Sequence, residues 1–164
     1  MSPCHQSLID DVVKIHPDNT VTEALEIFKK ANIRSLPVVN DEGLFVGLFG
    51  LRHLLLSLLP ASVRMEDGLE RLDFLVGATP AIAKRFRKNM EIKVSELMDK
   101  EPEVVHQDTA TWEVLRIMAL RGSPVSVVDE NSKKFIGLIS RQSLLADIEN
   151  LVEEMDKEAK EETK

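Results

Sequence analysis

Apolar positions along this chain switch between short runs and a helical spacing, in the same order twice. Val12 to Ile15 is a short apolar run that predicts a strand, and Pro17-Asp18-Asn19 turns the chain after it. Val21, Ala24, Leu25, Phe28 and Ala31 then recur at helical spacing. Thr20 and Glu23 stand at the start of that helix with capping-box spacing: the hydroxyl accepts from a first-turn amide and the carboxylate reaches back. Asn32 is the expected stop. Leu36–Val39 and Leu44–Phe49 flank the turn Asn40-Asp41-Glu42-Gly43, which reads as a hairpin. Leu51 to Leu59 is a helix apolar on almost every side, closed by Pro60. Such a helix has to be buried, so it is expected to pack against something larger than its own module.

The second pass repeats the first. Glu103 to Val105 is the strand, and Trp112, Leu115, Met118 and Ala119 mark a helix that ends near Gly122. Its N-cap is unclear, because Ala110 stands where Thr20 stood. Val125–Val128 and Phe135–Ile139 form a hairpin around Glu130-Asn131-Ser132. Ser143 to Leu151 gives the last helix, with Leu144, Leu145, Ile148, Leu151 and Val152 on a broad apolar face. A shift of 90 carries His16 onto His106, Asp18 onto Asp108, Glu23 onto Glu113 and Gly47-Leu48 onto Gly137-Leu138. The equivalence of His16 and His106 points to a shared structural role rather than to catalysis. Two copies imply two small modules, each marginal alone, that cover each other's apolar faces and create paired clefts.

The organisation expected is a first module over 1–60, a helical insert over 61–93, a second module over 94–152 and a charged tail over 153–164. In the insert, Thr79-Pro80 is a good helix start, and Ile82, Phe86 and Met90 recur every four residues, so it is expected to pack. Val63, Leu69, Leu72, Leu75 and Val76 suggest an earlier helix. The basic run Lys84-Arg85-Phe86-Arg87-Lys88 reads as a solvated helix face opposite Ile82 and Phe86, with a site for phosphate or an acidic partner as the alternative. The tail is a frayed extension of the last helix or disordered.

Composition narrows the function. The net charge is −7, aromatic residues are 4% and Tyr is absent, which argues against a nucleic-acid partner and a base-stacking platform. The single Cys4 rules out an internal disulfide and fits a cytoplasmic protein. Cys4-His5 reads as part of a frayed N-terminus rather than as a metal site. Leu44–Leu59 is too short and interrupted for a bilayer span, so no membrane association is expected. No nucleophile elbow, phosphate loop or zinc pattern is present, so an enzyme is not expected.

Four phrases carry a family resemblance: HPDNTVTEALEIF from His16 to Phe28, SLPVVNDEGLFVGLFG from Ser35 to Gly50, VSELMDKEPEVVHQDTATWEVLRIM from Val94 to Met118, and SVVDENSKKFIGLISRQSLL from Ser126 to Leu145. In this order the chain resembles a tandem pair of cystathionine-β-synthase (CBS) domains, a Bateman module. The resemblance implies an α/β (α+β) fold of two β-α-β-β-α modules related by a pseudo-twofold axis, with the helical insert between them. It also implies a regulatory protein without required cofactor, whose inter-module cleft takes AMP, ADP, ATP or S-adenosylmethionine and which signals to a separate protein effector. The family pattern is Gly, two apolar residues, Thr or Ser, two variable residues, then Asp. Copy two reads GLISRQS from Gly137 to Ser143. There Ser140 and Arg141 are placed to hold phosphate, Val125, Ser126 and Val127 to flank the base, and Ser143 to face the ribose in place of Asp. Copy one reads GLFGLRH: Gly50 lacks a hydroxyl and His53 replaces the Asp, so Gly47, Gly50, Arg52 and His53 form a weaker first site. A homodimer is expected to hide the Leu51–Leu59 helix. A degenerate, ligand-free pair serving as a dimerisation or docking scaffold is the alternative, and an enzyme whose site no motif marks is a third.

Overall fold

The computed structural model describes residues 4–60 and 79–162. The sequence-expected helix over Val63–Val76 lies outside these residues. Helix α1 (Val21–Ala31) starts as its sequence dictates. The Thr20 hydroxyl accepts from the Glu23 amide at 3.3 Å, and the Glu23 carboxylate accepts from the Thr20 amide at 2.8 Å. Asn32 stops it in the left-handed conformation at φ 51°. Strands β1 (Ser35–Val39) and β2 (Phe45–Gly50) pair as the expected hairpin. Helix α2 (Leu51–Leu58) follows directly, then α3 (Thr79–Asn89), which starts at the anticipated Thr-Pro, and a single turn, α4 (Val94–Leu97). The second pass gives β3 (Val104–Val105), α5 (Thr111–Arg121), β4 (Val125–Val128), β5 (Phe135–Ile139) and α6 (Arg141–Glu162). None of the described helices is long and apolar enough to cross a membrane.

The chain divides into two compact units. The first holds Val13–Glu42 and Val46–Pro102, the second Met1–Val12, Gly43–Phe45 and Glu103 onward. The opening segment of each sequence copy thus lies in the unit that holds the other copy's strands. In the first unit Ile15 bridges Val38 in parallel, β1 pairs with β2, and Asp99 bridges Leu48 in antiparallel. In the second unit β3 pairs with β4 in parallel, β4 with β5 in antiparallel, and Ile9 bridges Leu138 in antiparallel. The second hairpin has a register shift at Val127/Val128. Each unit has its own core. Ile15, Val21, Ala24, Phe28, Leu36, Val38, Phe49, Leu54 and Val94 fill the first. Cys4, Val105, Val114, Ile117, Met118, Val125, Val127, Ile139 and Leu144 fill the second.

Six expectations need correction. The Val12–Ile15 strand is reduced to a single bridge, Ile15 to Val38. The N-terminus is not frayed from Cys4 on. Cys4–Ser7 is a 3₁₀ turn, the Cys4 thiol is fully buried and directed at the His106 carbonyl (3.2 Å), and the Ser7 hydroxyl donates to Asp147 of α6 at 2.8 Å. Burial pushes the Cys4 thiol above its ordinary pKa. On α5 the inward stripe is Val114, Ile117 and Met118, while Trp112 is 74% exposed and Leu115 and Ala119 also face outward. Helix α2 buries only Leu54, and Leu55 is 64% exposed. In α3, Ile82 and Phe86 are exposed, and only Met90 just beyond it packs on the core. The tail is neither frayed nor disordered over its described length, because α6 continues to Glu162. The basic run of α3 is a solvated face, as anticipated.

Candidate functional site: two helix starts beside two hairpins

Each copy ends its hairpin on a glycine-bearing strand and enters a helix at once. Gly47 and Gly137 are buried on β2 and β5, and both are demanded by sterics. A Cβ on Gly47 would run into the Asp99 carbonyl oxygen and the Met98 sulfur. On Gly137 it would run into the Ile9 carbonyl oxygen and a Leu8 methyl. The paired glycines of the motif therefore admit the crossing segments Met98-Asp99 and Leu8-Ile9. These two straps are the functional neighbours that sequence reasoning missed. The signal was present: Leu8-Ile9-Asp10 and Leu97-Met98-Asp99 are matching tripeptides at the two repeat starts.

At the start of α6, Ser140 and Ser143 cap each other. The Ser143 amide donates to Ser140 Oγ at 3.0 Å, and the Ser140 amide donates to Ser143 Oγ at 2.9 Å. The two hydroxyls also meet at 3.2 Å. The anticipated phosphate and ribose hydroxyls are thus engaged in a capping box, with Ser143 in the place of the usual Glu. Arg141 is exposed on the first turn, where helix amides and a guanidinium both favour an anion.

The start of α2 uses the same device with different chemistry. Gly50 offers no side chain, but His53 Nδ1 accepts from the Gly50 amide at 3.0 Å. The His53 ring also stacks near Phe49, with centroids 6.4 Å apart. Burial, the dominant cause, pushes the His53 pKa below its ordinary value, Arg52 lowers it further, and Asp99 opposes the shift. His53 is therefore a neutral cap. Gly50 is itself hemmed in, because a Cβ there would lie 3.1 Å from the Arg34 carbonyl oxygen. Arg52 is exposed and lines a groove within the first unit together with Leu55, Leu56, Leu58, Leu59 and Ile82.

The three base-flanking candidates on β4 split between two faces. Val125 and Val127 belong to the core. Ser126 alternates to the opposite face, in register with Val104 on β3 and Leu138 on β5. It is 1% exposed, and its hydroxyl has no hydrogen-bond partner among the described residues. Its counterpart in the first hairpin, Pro37, is also fully buried.

His16 and His106 do share a backbone role. The His16 amide donates to Asn19 Oδ1 at 3.0 Å and the His106 amide to Thr109 Oγ1 at 2.9 Å, each closing the turn into the next helix.

Two β-α-β-β-α copies with exchanged opening segments define a tandem-repeat class of small α/β module. The model for the family described as "CBS domain" matches residues 7–60 and 94–150, and the chain belongs to that family. Among curated relatives, the chloroplastic CBS domain-containing protein CBSX1 of Arabidopsis thaliana is 28% identical over 83% of this chain and 58% of its own length. The chain spans between 22% and 58% of the curated relatives it matches. Among solved structures, CBSX2 of Arabidopsis thaliana in complex with AMP superposes with a TM-score of 0.68 at 21% identity, over 92% of this chain and 98% of that one. The CBS domain pair of protein MJ0100, in complex with 5′-methylthioadenosine and S-adenosyl-L-methionine, gives 0.61 at 20% identity over 90% and 99%. At these identities the structural likeness establishes the fold.

Proposed function

We propose that the protein is a regulatory, non-enzymatic CBS pair that binds an adenosine-containing ligand and signals to a separate effector chain. The observation that carries this reading is Ser126. A buried hydroxyl left unpaired costs about 1–3 kcal/mol, and Ser126 has no partner among the described residues, so a ligand that pairs with it gains this term. Ser126 lies on the face of β4 opposite Val125 and Val127, and a heteroaromatic base reaching that face would offer it both donor and acceptor edges. Arg141 at the start of α6 supplies a cation and helix amides for phosphate. The AMP-bound and S-adenosylmethionine-bound relatives support the ligand class.

The test is calorimetry with AMP, ADP, ATP and S-adenosylmethionine. Ser126→Ala is expected to weaken binding by roughly 2- to 12-fold, the worth of one neutral hydrogen bond. The same substitution should leave the free protein as stable or more stable, since it removes an unpaired polar group. Ser143→Asp keeps an acceptor for the Ser140 amide and adds a carboxylate for the ribose diol, so it should tighten binding. Absence of binding by both wild type and Ser143→Asp would overturn the ligand reading.

The scaffold alternative has its own observation. Ser140 and Ser143 of the second site are occupied as helix caps, and so is His53 of the first, whose remaining polar candidate side chain is Arg52. In that reading the Leu-rich face of α2, with Leu55 exposed, serves self-association. A homodimer of this chain, in the cytoplasm, is compatible with either reading.

A further inference from the structure

Helix α6 is longer than its unit needs. Its 22 residues extend about 33 Å at 1.5 Å per residue. Leu144 is buried and Ile148 packs on the core, which anchors the first turns. The same apolar stripe then continues through Val152 and Met155, which are 53% and 67% exposed. Spacings of four and three keep these residues on one face. From Glu149 to Glu161 the helix carries six carboxylates against two lysines. By helical phase, Glu149 and Asp156 border one edge of the stripe and Glu158 the other. Two copies of α6 would repel each other if packed seam to seam.

The first unit offers a complementary surface. Arg52, Leu55, Leu56, Leu58, Leu59 and Ile82 line an open groove of about 410 Å³ between α2 and α3. Helix α3 carries Lys84, Arg85, Arg87 and Lys88 and no carboxylate. An apolar groove with a cationic edge and an apolar helix stripe with anionic edges fit the helix-in-groove mode of recognition.

We propose that this groove takes the distal turns of α6 from a second copy of the chain, in a reciprocal exchange about a twofold axis. The inference rests on the self-association reading above and adds which segments meet. Val152 and Met155 enter the groove, and the Glu149, Asp156 and Glu158 carboxylates face the α3 cations. Contact of each α6 with the other copy's α3 makes the interface self-complementary and closed.

Sedimentation equilibrium of the full chain tests it. The wild type is expected to dimerise at low salt, with the dimer weakened at about 1 M salt, where the Debye length falls to ~3 Å. Val152→Glu with Met155→Glu should raise the dissociation constant roughly 30-fold or more. These side chains are exposed, so circular dichroism should be unchanged. Two charge variants sharpen the test: Arg85→Glu with Lys88→Glu, and Asp156→Lys with Glu158→Lys. Each alone should be monomeric. Mixed, they should form a heterodimer, since each contact then pairs opposite charges again. A dimer that persists in all these variants would overturn the proposal while leaving self-association intact. A monomeric wild type would overturn both.

Discussion

At the scale of single residues, the informative positions are those that sequence reading assigned to a ligand and the structure gives to packing and capping. Gly47 and Gly137 leave room for a crossing backbone. Gly137→Ala should therefore destabilise the second unit by about 1–3 kcal/mol or more, because the obstacle is a carbonyl oxygen that cannot swing aside. Gly47→Ala should act likewise on the first unit, somewhat less if the flexible Met98 side chain yields. Urea denaturation checks both. His53 links this scale to pH. Its folded pKa lies below the ordinary 6.5. The folded state therefore prefers the neutral ring, and the resulting stability is fully present above pH 6.5. It is lost as pH falls from 6.5 through the lower folded value, because the unfolded chain binds the proton first. Denaturation midpoints at about pH 7.5 and about pH 5 should differ in this direction. His53→Ser, which copies the Ser143 cap, should remove that part of the difference.

At the scale of elements, the two copies of one helix make a natural comparison. Helix α1 has both halves of its capping box, and α5 has no side-chain cap at Ala110. Thr20→Ala is expected to cost about 1 kcal/mol, and Ala110→Thr to gain a similar or smaller amount, both read by urea denaturation. The hairpins, the α1 boundaries and the α3 start were legible in the chain, because turn residues and caps are local signals. The inward face of α5 was not. Trp112, Leu115 and Ala119 are apolar and correctly spaced, but helical spacing alone cannot say which of two apolar stripes meets the core. The repeat was the better guide: a shift of 90 carries buried Ala24 and Phe28 onto buried Val114 and Met118. The site was half legible. Motif spacing located the helix starts, yet only coordinates could separate core-facing Val125 and Val127 from Ser126. Strand alternation fixes that two faces exist, not which of them is the core.

At the scale of the whole molecule, the two units differ in how far apart in the chain their pieces lie. The first unit is assembled almost entirely from residues 13 to 102. The second needs the 3₁₀ turn at Cys4–Ser7 on α6 and the Ile9 strap on Leu138. During synthesis the chain emerges at about 5–20 residues per second from the N-terminal end. The first unit can close while the rest is still being made. Residues 4 to 12 must wait, with Leu8 and the thiol of Cys4 unprotected, until residue 147 has emerged. The thiol that is inert in the finished protein is thus open to oxidation for seconds in the nascent one. A ribosome-stalled chain ending near residue 125 should be alkylated at Cys4, whereas the released native protein should resist the same reagent.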